Sequence, residues 1–247
     1  MSIDTPLHEE THGGHDDHHG SPEVKFHRER IGVWLIIVAD VIVVAALLFT
    51  YLYLRGVNTA GHWMSMQGYK GSLHTYADWT NLASAGTLPN PSNIYTGPLS
   101  AGLQWVAAAL TVVCAGFVWS GERTLRATKN AKSLVPMAVI AVIVALGGVV
   151  VSAIQLHDIP QVFVALNDSV TMSYTAYDSA MMAIIGSALI HLVVLAFLGV
   201  GLAIRAARGR ITGENWFQAH LVRLYFVWVA ISAVVVTLIT TTINTVH

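Results

Sequence analysis

The stretch IGVWLIIVADVIVVAALLFTYLYL, residues 31–54, is predominantly apolar and holds a single charged side chain, Asp40. A helix of that length spans roughly 36 Å, enough to cross a hydrocarbon core of roughly 30 Å. Four further apolar runs reach the same threshold, near Leu99–Gly121, Val135–Leu156, Ser179–Ile204 and Leu221–Ile243. Across the 247 residues, 54% are hydrophobic and 11% charged, where a soluble domain carries about a quarter charged. The expected fold is therefore all-α, an integral membrane bundle of five transmembrane helices over residues 31–247. Backbone polar groups have no water partner in lipid, so spanning segments of this length are read as helices.

The basic residues set the expected orientation. Lys25, Arg28 and Arg30 precede the first run, and Arg123, Arg126, Lys129 and Lys132 follow the second. Arg205, Arg208 and Arg210 follow the fourth, with Arg223 just inside the fifth. Eleven of the thirteen Lys and Arg thus share one side; only Arg55 and Lys70 fall on the other. Basic segments stay cytoplasmic during insertion, which predicts a cytoplasmic N-terminus and, with five spans, a C-terminus outside. The polar opening segment lacks the apolar middle of a cleavable signal peptide. Residues 1–30 read as a disordered His- and Asp-rich cytoplasmic arm. An outer loop over 56–98 holds Trp63, Tyr69, Tyr76, Trp79 and Tyr95, suited to a membrane interface or a partner, and Pro89, Pro91 and Pro98 break its second half.

Ionisable groups inside spans are functional candidates by default. Asp40 and His191 both fall near the midplane, on the first and fourth runs, and depth alone lets them either meet or miss. His157 lies at the outer end of the third run and His220 at the inner start of the fifth. No two histidines therefore share a depth, and a six-coordinate haem within this chain is not expected. Three or four converging metal ligands are also lacking in the spans. The tail histidines His8, His12, His15, His18 and His19 have ligand-like spacing, but Gly13, Gly14 and Gly20 oppose the helix that would align them, so they are weak metal candidates. The single cysteine, Cys114, excludes an internal disulfide. Neither a catalytic triad nor a phosphate-cradling glycine loop is present, and no catalytic residue is assigned.

The first run places Gly32, Trp34, Asp40, Tyr51 and Arg55 in a pattern that resembles the opening core helix of subunit III of haem–copper oxidases, the cytochrome c oxidase subunit 3 family. That family has Gly, eight residues to a membrane Glu, eleven to Tyr and four to Arg; here Asp40 replaces Glu. Gly148, Gln155 and Asp158 are similar to its G-x6-Q-x2-E. Tyr177, Ser179, Gly186 and His191 are similar to its Y-G-S-x6-G-x-H-x2-H, with Ala188 at the first histidine. The fifth run departs, reading Tyr225-Phe-Val-Trp-Val-Ala230 where the family has Y-W-H-F-V-D. The resemblance implies a divergent five-helix bacterial form, in the inner membrane. It implies a non-catalytic subunit packed on catalytic subunit I among other respiratory-complex subunits. Such a subunit binds phospholipid, supports stability and proton or oxygen access, and leaves haem and copper to its partners. On that basis Asp40, His191, Asp158 and Gln155 become lipid- or proton-related candidates. Gly147, Gly148, Ser152 and Ala153 would let another helix approach the third span closely. The alternatives are an accessory subunit of nitric oxide reductase or another respiratory supercomplex, and a small proton-coupled transporter. No nucleic-acid partner is expected.

Overall fold

A computed structural model describes residues 22–57, 101–158, 164–166, 169–171, 176–212 and 215–242. Five long helices carry the chain: α1 (Pro22–Gly56), α2 (Ala101–Thr128), α3 (Leu134–Asp158), α4 (Ala176–Ala207) and α5 (Phe217–Thr242). All five are long and apolar enough to cross a membrane. The chain is a helical multi-pass membrane protein. Between α3 and α4 lies a small antiparallel hairpin, β1 (Val164–Leu166) with β2 (Ser169–Thr171), pairing Ala165 with Val170.

The helix ends correct the sequence reading in two places. Helix α1 begins at Pro22, so residues 22–30, assigned above to a disordered arm, are helical. Proline suits the first helical position, where its missing N–H would be unpaired in any case. Helix α2 continues past Gly121 to Thr128, because charged residues beyond the apolar run still support helix once they can reach the interface. Residues 1–21, with the five tail histidines, and residues 58–100, nearly all of the expected outer loop, lie outside the described residues.

Tight connections join the spans at the end of the bundle where basic residues gather. Lys129 takes a left-handed conformation (φ 54°) that stops α2. Asn130 then caps a 3-10 turn, Ala131–Ser133, its side chain accepting from the Lys132 N–H at 3.0 Å. Gly209, at φ 68°, closes α4: its N–H reaches the Ala206 carbonyl, and the Arg210 N–H reaches that of Arg205 at 2.9 Å. That pattern satisfies the last carbonyls of the helix and suits glycine.

Packing is uneven around the bundle. Helix α3 packs along both α2 and α4, and α2 packs along α5, whereas α4 and α5 touch little. The four therefore form an arc with a seam between α4 and α5, and α1 lies over that seam, contacting both. Close approach of α3 to α4 depends on Gly148, where an added Cβ would stand 2.8 Å from Leu192 Cδ2. The expectation of close helix approach on the third span is met there, whereas Gly147 has only a distant neighbour in Leu110. The main apolar core, including Val118, Leu125, Leu134, Ala138, Leu195 and Phe226, fills the half of the bundle nearer the basic connections. Helix α1 buries little of itself. Among its described residues Ile37 and Tyr51 are the buried hydrophobic side chains, while Leu35, Val38, Ile42 and Phe49 face outward.

Candidate functional site

Asp40, His191 and Trp228 stand near the middles of α1, α4 and α5 and meet across the seam. His191 Nε2 lies 2.8 Å from Asp40 Oδ1 and 2.9 Å from Oδ2. The Trp228 indole N–H donates to Asp40 Oδ2 at 2.6 Å. On its other side, His191 Nδ1 stands 2.6 Å from the carbonyl oxygen of Ser187, one turn back on α4. A carbonyl only accepts, so Nδ1 must carry a proton. Nε2 and the carboxylate then need one further proton between them, since a bare lone pair facing a carboxylate would repel it. The pair is neutral overall in either form, imidazolium with carboxylate or imidazole with carboxylic acid. Their side chains are 12% and 16% exposed, so a net charge there would be poorly solvated, and sharing one proton avoids it.

This arrangement is a clamp as well as a proton-holding pair. One carboxyl on α1 engages a donor on each helix bordering the seam. Further along, the Tyr51 hydroxyl approaches the Thr240 carbonyl at 3.4 Å, a weak second tie from α1 to α5. Depth along the spans left the Asp40–His191 contact open; the structure makes it.

A cavity of about 70 Å³ lies behind α1 and takes lining from all five helices. His191 forms part of its wall, with Gln104, Thr111, Ser152, Gln155 and Ser232 among the polar groups. Thr240 Oγ1 donates to Gln104 Oε1 at 2.9 Å. Ser152 Oγ and Gln155 Nε2 are buried with no hydrogen-bond partner among the described residues. Gln155 thus belongs to the same cavity as His191.

The other motif residues scatter. Tyr51 is fully buried among Ala180, Met181 and Ile184. Trp34 is largely exposed on the outer face of α1. Gly32 and Gly186 face open space, so no close packing explains them. Arg55 sits in the last turn of α1 and Ser179 in the first turns of α4. Asp158 ends α3 and Tyr177 opens α4; their side chains lie outside the described residues.

A second polar cluster occupies the basic end. Glu122, buried to 1% exposure, ion-pairs with Arg126 and lies 3.1 Å from His220 Nδ1, within hydrogen-bonding distance. Arg223 Nε stands 2.9 Å from Glu122 Oε2 but off the hydrogen-bond line, so that contact is ionic rather than a directed bond. Arg126 also covers the Trp216 ring at 3.5 Å, and Arg223 lies 5.4 Å from the Trp119 ring centre. The cluster ties α2 to α5 where the two cross the bundle's edge.

Sequence reasoning missed two of these residues. Trp228 was legible as a tryptophan in mid-span, where an indole N–H needs a buried acceptor instead of the interfacial water it usually finds. Glu122 fell one residue beyond the expected end of the second run, and the basic residues around it were read only for topology. The chain matches no protein-family model and no curated protein.

Proposed function

We propose that the chain is a non-catalytic subunit III of a respiratory haem–copper terminal oxidase, in a bacterial inner membrane with its N-terminus cytoplasmic. The observation that carries the reading is the Asp40–His191 contact. The two residues come from separate family-like motifs on the first and fourth helices, and they converge on one point. Such a meeting is what a shared fold of the two motifs would produce, beside the general tendency of intramembrane ionisable groups to pair. Gly148 adds support, since its motif position coincides with a close approach of α3 to α4. In this role the exposed apolar face of α1 meets lipid and the catalytic subunit I, bound phospholipid covers the remaining grooves, and haem and copper stay in the partners. Lys and Arg asymmetry supports the orientation.

The test is gentle solubilisation of the native membrane, followed by masses of the co-purifying chains and a reduced-minus-oxidised spectrum. Expected are a haem-bearing subunit I and oxidase bands. Nitric oxide reductase chains in its place would move the protein to that complex. A colourless chain that purifies alone would favour a proton-coupled transporter, for which the proton-sharing pair would be the coupling site.

A further inference from the structure

The two halves of the bundle differ in what they bury. Towards the basic connections the interior is the apolar core of Leu125, Leu134, Leu195 and Phe226. Among the described residues, eight of the nine buried polar or charged side chains lie in the other half, Glu122 being the exception. They form a graded series. Gln104, Gln155 and Thr240 stand within about one turn of their helix ends. Ser152 and Ser232 lie deeper, and His191 closes the series at mid-bundle. All of these residues line the one cavity.

Two of the groups require something the described residues do not supply. Ser152 Oγ and Gln155 Nε2 are each at least 98% buried by residue and lack partners. Leaving such groups dry costs about 1–3 kcal/mol each. They are three residues apart on one helix, so their side chains are neighbours on the same face, and one water can bridge them. Space is sufficient: a water needs roughly 10–15 Å³ of cavity, against about 70 Å³ present. The remaining wall is mainly aliphatic, which confines water to the polar series rather than filling the whole space.

We propose that this cavity holds a short water chain giving the Asp40–His191 proton one-sided access, from the end of the bundle where α1 terminates. In the exchange, the shared proton passes from the pair to the adjoining water and out along the chain. The pair is left as carboxylate and Nδ1-protonated imidazole until a proton returns by the same route. Towards the basic end the described interior between the pair and the Glu122 cluster is the apolar core, which offers water few hydrogen-bonding groups. The groups facing the pair are His191 and the Ser187 carbonyl from α4, Trp228 from α5, and the Tyr225 hydroxyl of α5, which interacts electrostatically with Asp40. This inference does not depend on the oxidase reading: it concerns hydration of the chain itself, and it survives or fails whatever the partners are.

The test uses the full chain in sealed vesicles. On a Cys114→Ala background, Gln155→Cys should react with a small membrane-impermeant thiol reagent only from the side that also labels Val57→Cys at the end of α1. It should not react from the side that labels Lys129→Cys, and buried Ala138→Cys should stay unreactive from both. Independently, the indole N–H of Trp228 reports water at the pair through its hydrogen–deuterium exchange. Ser152→Ile, which fills the cavity, and Gln155→Leu, nearly isosteric, should each slow that exchange at least tenfold. If Ser152→Ile fails to fold, Gln155→Leu carries the comparison. Labelling of Gln155→Cys from the Lys129 side, or from neither side, overturns the proposal. So does Trp228 exchange unchanged in a folded variant. Exchange that is slow in the wild type and rises on delipidation would also overturn it, by showing a lipid tail in the space.

Discussion

Replacing Asp40 by leucine tests whether the clamp is what holds α1 on the bundle. The substitution puts an apolar side chain of similar size in place of the carboxyl and so removes the acceptor for the Trp228 N–H and the partner of His191 Nε2. Interhelical hydrogen bonds in membranes are worth about 0.6 kcal/mol on average and about 1.7 at most, because a separated helix finds other partners. Two bonds lost therefore predict about 1–3 kcal/mol. The higher figure applies if both donors stay trapped and dry. That loss is large for α1, since among its described residues Ile37 and Tyr51 are the buried hydrophobic side chains. Asp40→Asn should behave differently. Its oxygen can accept from Trp228 while its amide donates to His191 Nε2, keeping both ties, so the expected loss is under about 1 kcal/mol. The assay is unfolding of the purified chain in mixed micelles by sodium dodecyl sulfate, followed by circular dichroism and tryptophan fluorescence. A double-mutant cycle with His191→Leu should return a coupling of about 0.5–2 kcal/mol. A coupling of zero, or an Asn variant as unstable as the Leu variant, would refute the clamp.

Other substitutions probe the rest of the framework. Glu122→Leu strands Arg126, Arg223 and His220 beside one another, and because both arginines retain some solvent contact the expected loss is about 1–3 kcal/mol, below the range for fully buried pairs; an unchanged thermal midpoint would show the cluster to be ornamental. Gly148→Ala drives a methyl into Leu192 and should lower stability by about 1–3 kcal/mol, with recovery in the Gly148→Ala/Leu192→Ala pair, and absence of rescue would place the strain elsewhere. A reporter fused after His247 should read non-cytoplasmic and one inserted at Asn130 cytoplasmic, the reversed result overturning the orientation. Deleting residues 1–21, which precede α1, should leave assembly and turnover nearly unchanged; lowered bound metal would give the tail histidines a role.

The five spans were legible because hydrocarbon imposes one rule on every spanning segment, and a run such as residues 31–54 satisfies it visibly. The ends were less so. Residues 22–30 are polar and charged, so hydropathy assigned them to the arm, yet nothing in their backbone opposes helix once α1 has nucleated beneath them. Half of the site could be read, since a carboxyl and an imidazole in apolar runs stand out. Whether they meet depends on how α1 is rotated and seated over the seam, which no single helix encodes. Trp228 escaped for a similar reason: it is an unremarked aromatic until a carboxyl is found opposite its N–H. Gln155 stood in a family-like motif and Ser152 in a run of small residues, but that both are buried without partners among the described residues is a property of packing rather than of sequence.

The distances along the chain between the clamp's members bear on how the protein is made. Asp40 belongs to the earliest made of the five described spans, whereas His191 follows 151 residues later and Trp228 188 residues later. At roughly 5–20 residues per second, the acid waits on the order of ten seconds or more before either partner is synthesised. An unpaired aspartate at mid-helix disfavours insertion by about 2.5–3.5 kcal/mol on biological scales. The surrounding residues of α1 offset that penalty: its window has a mean hydropathy of 2.8, equal to the highest among the five spans. Its outward valines, isoleucines and leucines therefore serve the nascent chain, keeping the first helix in the bilayer until α4 and α5 arrive to receive its carboxyl.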